Sequence, residues 1–186
     1  DGKVYYRGRG NRVGNPATRV DGTVSRRGIS HHLSAEDHQH GIHVPTASCY
    51  IVADQSIPDN AETLALFDAE NYDTDSVHST TVNPGRLTVP AGMTGIWRAW
   101  GLICFAVNAT GYRQARLFKN NAFLLPVVRS VGFAGADFAV AFSMDLSLVA
   151  GDYLDVRVLQ NSGGALALVG NVNNTTFGLA FVRQAP

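Results

Sequence analysis

The stretch Trp97-Arg98-Ala99-Trp100-Gly101-Leu102-Ile103-Cys104-Phe105-Ala106-Val107 decides the architecture. Successive residues of a strand point to opposite faces. One face here carries Trp97, Ala99, Gly101, Ile103, Phe105 and Val107; the other carries Trp100, Leu102, Cys104 and Ala106, with Arg98 its only charge. Phe138–Leu146 repeats this two-faced pattern, with Phe138, Val140, Phe142 and Met144 on one side and Ala139, Ala141 and Ser143 on the other. Phe177–Val182 is apolar on both sides too. Asp152–Gln160 differs: Leu154, Val156 and Val158 face a core, while Asp155 and Arg157 face water. A two-sheet sandwich uses one face of each sheet internally, so the second apolar face of the first group must meet something else. There is no amphipathic helix to cover it, and the N-terminal segment is too polar. The economical cover is another copy of the chain. At roughly 25 cal/mol per Å² of apolar surface, burying a few hundred Å² per subunit supports an obligate homo-oligomer.

Outward from these strands, turn chemistry sets the boundaries. Pro58-Asp59-Asn60, Asn83-Pro84-Gly85, Pro90-Ala91-Gly92, Ala109-Thr110-Gly111, Gly132 to Gly135, Ala150-Gly151 and Ser162-Gly163-Gly164 are separators. They leave candidate strands at 48–53, 62–67, 86–89, 95–107, 112–119, 122–131, 137–146, 152–160, 165–169 and 176–183. About ten strands in about 140 residues predict an all-β sandwich or jelly roll. The bulk properties agree. A length of 186 residues suits one domain plus an appendage, 45% hydrophobic against 16% charged residues supports a packed core, and 19 Gly with 7 Pro favour strands over helices. No apolar run reaches the roughly eighteen residues of a membrane-spanning helix, so no membrane partner is expected. An opening at Asp1, without methionine or a charged-then-apolar leader, reads as a processed or partial piece.

The formal net charge of zero hides a segregation. Residues 1–27 carry Lys3, Arg7, Arg9, Arg12, Arg19, Arg26 and Arg27 against Asp1 and Asp21. Residues 28–85 carry nine acids and no lysine or arginine. Residues 1–46 have no sustained periodicity and are read as an extended N-terminal arm or linker ahead of a head domain at 47–186. Either the arm is a disordered tail or it orders by wrapping on a partner. The second reading is preferred, with the arginines Arg7, Arg9, Arg12, Arg19, Arg26 and Arg27 as its attachment groups. Lysine runs and nucleic-acid-binding motifs are missing around them, so no nucleic-acid partner is expected.

Several segments together resemble a complement C1q/TNF-like jelly roll. They are Ile57-Pro58-Asp59-Asn60, Leu66-Phe67-Asp68, Tyr72-Asp73-Thr74 with His78, Leu87-Thr88-Val89-Pro90-Ala91-Gly92, Gly95-Ile96-Trp97, Phe118-Lys119-Asn120, Leu148-x-x-Gly151-Asp152-Tyr153-Leu154 and Thr176-Phe177-Gly178. The likeness runs over roughly 47–183 and is closest to C1q-like domains at the ends of bacteriophage fibres and other virion surface proteins. It implies a ten-strand, two-sheet jelly roll assembled as a homotrimer, with one sheet lining the threefold axis. On that arrangement Trp100, Leu102, Cys104 and Phe177 form the trimer interface, and Ala139 and Ala141 allow close approach; on the last strand either 177 and 179 or 178 and 180 face the axis. Cys49 and Cys104 then lie on strands of one sheet with the last strand between them. Two strand spacings are about 9–10 Å, beyond a disulfide's reach, so both thiols are expected free and buried. The segment His31-His32-Leu33-Ser34-Ala35-Glu36-Asp37-His38-Gln39-His40-Gly41 is similar to a linker of trimeric phage fibres, though it lacks the usual proline after His38.

Candidate chemistry is sparse. His38-x-His40 places two imidazoles on one side of an extended chain, and three parallel chains would offer six nitrogens to an axial transition metal. A solvated histidine loop with Asp37 as partner is the preferred reading, so no cofactor is required. Asp73-Thr74-Asp75, with Asp68 and Glu70 nearby, has the oxygen donors for calcium but no loop glycine, and reads as a solvated acidic loop. His78 sits near Ser76 and Ser79 but reads as a surface histidine. Enzyme motifs are lacking, and the chain is not expected to be an enzyme. The function these features imply is that of a structural virion protein of a bacteriophage, a homotrimeric fibre, spike or capsid-decoration protein. The arm would join it to other virion proteins, and the head would be exposed for a host-surface glycan or protein through loops at 108–112, 132–136 and 161–164. The alternative is a secreted or cell-surface C1q-like glycan- or protein-binding module of cellular origin, weakened by the lack of a collagen repeat.

Overall fold

A computed structural model describes residues 44–184. The attachment arginines Arg7, Arg9, Arg12, Arg19, Arg26 and Arg27, and the candidate metal pair His38 and His40, lie outside the described residues. Twelve strands and no helix occur among the described residues. In chain order they are β1 (Thr46–Tyr50), β2 (Gln55–Ile57), β3 (Thr63–Leu64), β4 (Ala69–Asp73), β5 (Arg86–Thr88), β6 (Gly95–Phe105), β7 (Asn108–Lys119), β8 (Ala122–Phe133), β9 (Phe138–Leu148), β10 (Tyr153–Gln160), β11 (Leu166–Leu168) and β12 (Thr176–Arg183). All ten expected strands are present. β2 and β4 are additional, because three residues are too few to show a period and Ala69-Glu70-Asn71-Tyr72-Asp73 lacks the β-branched residues that mark a strand.

The strands form two antiparallel sheets. The first runs β2-β11-β6-β12-β1-β4, with β9 on the other side of β6; the second runs β3-β10-β7-β8, with β5 also on β10. Between the sheets lie the alternating residues the sequence predicts. Trp97, Ala99, Ile103 and Phe105 of β6 and Val140 of β9 meet Leu154, Val156 and Val158 of β10 and Leu117 of β7, all buried. Each fully buried large side chain of this kind stabilises the fold by about 1.5–3 kcal/mol relative to exposure. Trp97 closes one end of the core by donating its indole N–H to the Met93 carbonyl at 3.0 Å.

Two expectations about side-chain direction are corrected. Phe177 does not reach the outer face. Register pairs it with Gly101, an inward position of β6, and its ring packs at 5.6 Å from Phe67 and 6.2 Å from Phe142. Asp155 does point away from the core but is buried rather than in water, because Arg157 folds over it with an Nε–Oδ1 distance of 2.9 Å and stacks on Phe118.

The Gly151-Asp152-Tyr153 motif acquires a structural explanation. Gly151 has φ +86, a left-handed conformation that a side chain would strain. The Asp152 carboxylate accepts hydrogen bonds from the Val149 N–H at 2.8 Å and the Asn120 side-chain amide at 2.7 Å, and pairs with Lys119 at 2.7 Å. Asn120 in turn accepts from the Tyr153 N–H at 2.9 Å. One carboxylate thus joins the β9–β10 turn to the β7–β8 turn. Its pKa is pushed up by burial but more than offset by Lys119 and the two hydrogen-bond donors, so it lies below the ordinary value.

Candidate self-association surface

The outer face of the first sheet is built from three cross-strand rows. In the middle row Tyr72, Ser48, Gly178, Trp100 and Ser143 stand side by side across β4, β1, β12, β6 and β9. Beside it run Tyr50, Thr176, Leu102 and Ala141. A short third row holds Cys104 and Ala139. Trp100 and Leu102 are half-buried, Ala139 and Ala141 exposed, and Tyr72 is 46% exposed. The result is an aromatic and small-residue band that no other described residue covers.

Glycine shapes this surface. A Cβ on Gly178 would collide with the Trp100 indole, so the ring lies flat on bare backbone of the neighbouring strand. Gly101 plays the same part on the inner face, where a Cβ would stand 2.5 Å from the Phe142 ring. The band ends at a row of Thr46, Ala180, Arg98 and Asp145. There Arg98 donates to Asp145 through Nε at 2.8 Å and Nη2 at 3.0 Å. The hydrogen bond from Arg98 holds the Asp145 carboxyl below its ordinary value. The one charge noted on this face is therefore neutralised at its border.

Of the six residues named for the interface, Trp100, Leu102, Ala139 and Ala141 share this face. Cys104 shares it by register but is already buried within one chain, and Phe177 belongs to the core. Tyr50, Tyr72 and Ala180 belong to the surface and were missed. Their signal is present only once β1 and β4 are paired, since Tyr50 and Tyr72 lie in strands too short or too polar to show two apolar faces.

Cys49 and Cys104 are free and buried, with β12 between their strands. Cys49 donates its S–H to the Phe177 carbonyl at 3.3 Å. Burial pushes both thiols above the ordinary value.

The three candidate recognition loops do converge. Asn108 pairs with Phe133, a Cβ on Gly111 would collide with the Asn161 carbonyl, and the Tyr112 N–H donates to Asn161 Oδ1 at 2.6 Å. Arg113, 1% exposed, fixes this end by donating to the carbonyls of Asn108, Thr110 and Tyr112, each at 3.0 Å. Burial lowers its pKa. Nothing in an alternating strand pattern marks that arginine, because the carbonyls of Asn108 and Thr110 come within its reach only through the irregularity between Asn108 and Tyr112 that precedes it in β7.

The acidic segment is committed to backbone donors. Asp73 accepts from the N–H groups of Asp75, Val77 and His78, and Asp68 from that of Val52. Among the described residues no group of three or more His, Cys, Asp or Glu side chains is placed to hold a metal. His78 is buried, not on the surface: Nδ1 lies 2.9 Å from Glu70 Oε1 and Nε2 3.0 Å from the Pro84 carbonyl. It ties β4 to the segment leading into β5, and Ser79 instead accepts from the N–H of Val82 at 3.0 Å.

No protein-family model and no curated protein matches the chain. Solved structures do. A TNF of the Eiger type from S. frugiperda superposes with a TM-score of 0.56 at 18% identity, over 77% of this chain and 95% of that one. Murine APRIL gives 0.55 at 13% identity, over 75% and 100%. The globular domain of zebrafish complement 1qA gives 0.52 at 13% identity, over 76% and 99%. The chain therefore has a C1q/TNF-like jelly-roll fold.

Proposed function

We propose that this chain is a structural virion protein of a bacteriophage: a homotrimeric fibre, spike or capsid-decoration protein that exposes a C1q/TNF-like head. The arm at 1–46 joins it to other virion proteins through its arginines, and the head is free to meet a host-surface glycan or protein. On this reading the chain is not an enzyme and needs no cofactor, with an axial metal at His38 and His40 as an optional element of the linker.

The observation that carries the assembly is the band around Trp100, a ring supported by Gly178 below and left uncovered above among the described residues. Closing a ring of three requires two different, complementary patches on each subunit. A second patch is available on β8, the terminal strand of the second sheet, where Val131 is 74% and Phe133 57% exposed. The virion placement rests on the likeness of 31–41 to phage-fibre linkers and on the basic arm. The cellular alternative, a secreted or cell-surface binding module, draws on the animal TNF and C1q structures that share the fold. An antibody to the head should label phage particles and sediment with them. Antigen found instead on cells or in particle-free medium supports the alternative.

A further inference from the structure

We propose that the cleft between the β4–β5 connection and β5 binds the carboxylate-bearing sugar of an acidic glycan. The cleft has a volume of about 300 Å³, the size of one monosaccharide, and lies within a single chain. It is a separate site from the loops at 108–112, 132–136 and 161–164: β5 pairs with Tyr153–Asp155 at the start of β10, whereas those loops gather around its far end. It therefore does not depend on the assembly or the particle location.

The lining is rich in unspent donors. The Arg86 guanidinium stacks on the Tyr153 ring at 4.1 Å and has no carboxylate or carbonyl partner among the described residues. Its N–H fork therefore keeps the donors that can take both oxygens of a carboxylate. Ser76, Asn83 and Thr88 line the same cleft, and none of their side chains has a hydrogen-bond partner among the described residues. The Ser79 hydroxyl accepts from the Val82 N–H, which leaves its hydrogen to donate.

Charge narrows the ligand. Residues 28–85 carry nine acids, yet none lines the cleft, and the two nearest in sequence are occupied, Asp75 by the Thr74 hydroxyl at 2.6 Å and Asp73 by three backbone N–H groups. A single guanidinium balances one negative charge, which suits a carboxylate and leaves a phosphate dianion half-compensated. The uncharged hydroxyl and amide donors fit ring hydroxyls. Val82, 68% exposed at the rim, offers an apolar contact for the C–H face of a sugar.

The test is an NMR titration of the 1–186 chain with D-glucuronate, glucose and inorganic phosphate in parallel. Glucuronate should shift the Arg86 and Thr88 signals with a Kd of about 1–10 mM, and glucose and phosphate should bind at least tenfold more weakly. Arg86→Gln should weaken glucuronate about tenfold or more, the loss expected for a charged hydrogen-bond pair. Thr88→Val, nearly isosteric, should weaken it severalfold without changing the thermal midpoint. No glucuronate binding, equal binding of phosphate, or undiminished binding by both variants overturns the proposal.

Discussion

The indole of Trp100 lies against Gly178 of the adjacent strand so closely that no Cβ fits between them. This pairing gives the outer face its shape: a broad aromatic surface flush with the sheet instead of a side chain projecting from it. Gly178→Ala should push the ring out of place and cost about 1–3 kcal/mol, the range for overpacking a close contact. Urea unfolding would report it as a lower midpoint at unchanged slope. An unchanged midpoint would show that the ring has another resting position.

The two faces of the first sheet should respond differently to substitution. Trp100→Glu places a charge on a band that needs to be dry in an assembly, so the variant should remain folded but lose self-association. Phe177→Ala removes a buried ring that touches Phe67 and Phe142, and should cost about 3–5 kcal/mol of fold stability. Circular dichroism together with sedimentation separates the outcomes. If Trp100→Glu stays assembled, the interface lies elsewhere.

Acid should act through Asp152. Its folded pKa is depressed, so the stability it contributes is fully present above the ordinary carboxylate value and is lost as pH falls through the lower folded one. Asp152→Asn should therefore flatten the decline of unfolding free energy below about pH 4. At neutral pH it should cost about 1–3 kcal/mol, because the Val149 N–H and Lys119 lose their anionic acceptor. A variant with the wild-type acid profile would contradict the clamp.

The thiols give an independent check on the strand order. With β12 between them and burial holding both in the neutral form, Cys49 and Cys104 should resist alkylation in the native protein and react fully in denaturant. Mass spectrometry without reductant should count two modified cysteines. A mass that shows a disulfide would contradict the sheet order.

How much of this was legible beforehand follows from what alternation encodes. β6 and β9 are long enough for a period of two to show both faces, so the doubly apolar sheet and the position of Trp100, Leu102, Ala139 and Ala141 could be read directly. Phe177 could not, because Phe177, Gly178, Leu179 and Ala180 are all compatible with either face; only pairing with Gly101 fixes the parity. Tyr72 lies in a polar edge strand, and Arg86 becomes notable only when Tyr153 comes to lie beneath it. Cross-strand neighbours of this kind are set by register, which no single segment carries.

The central claim is that the band around Trp100 joins three copies. The most direct measurement is the solution mass of the 1–186 chain by sedimentation equilibrium or light scattering, beside the Trp100→Glu variant. The account predicts three times the chain mass for the wild type and a folded monomer for the variant. A stable wild-type monomer would contradict it.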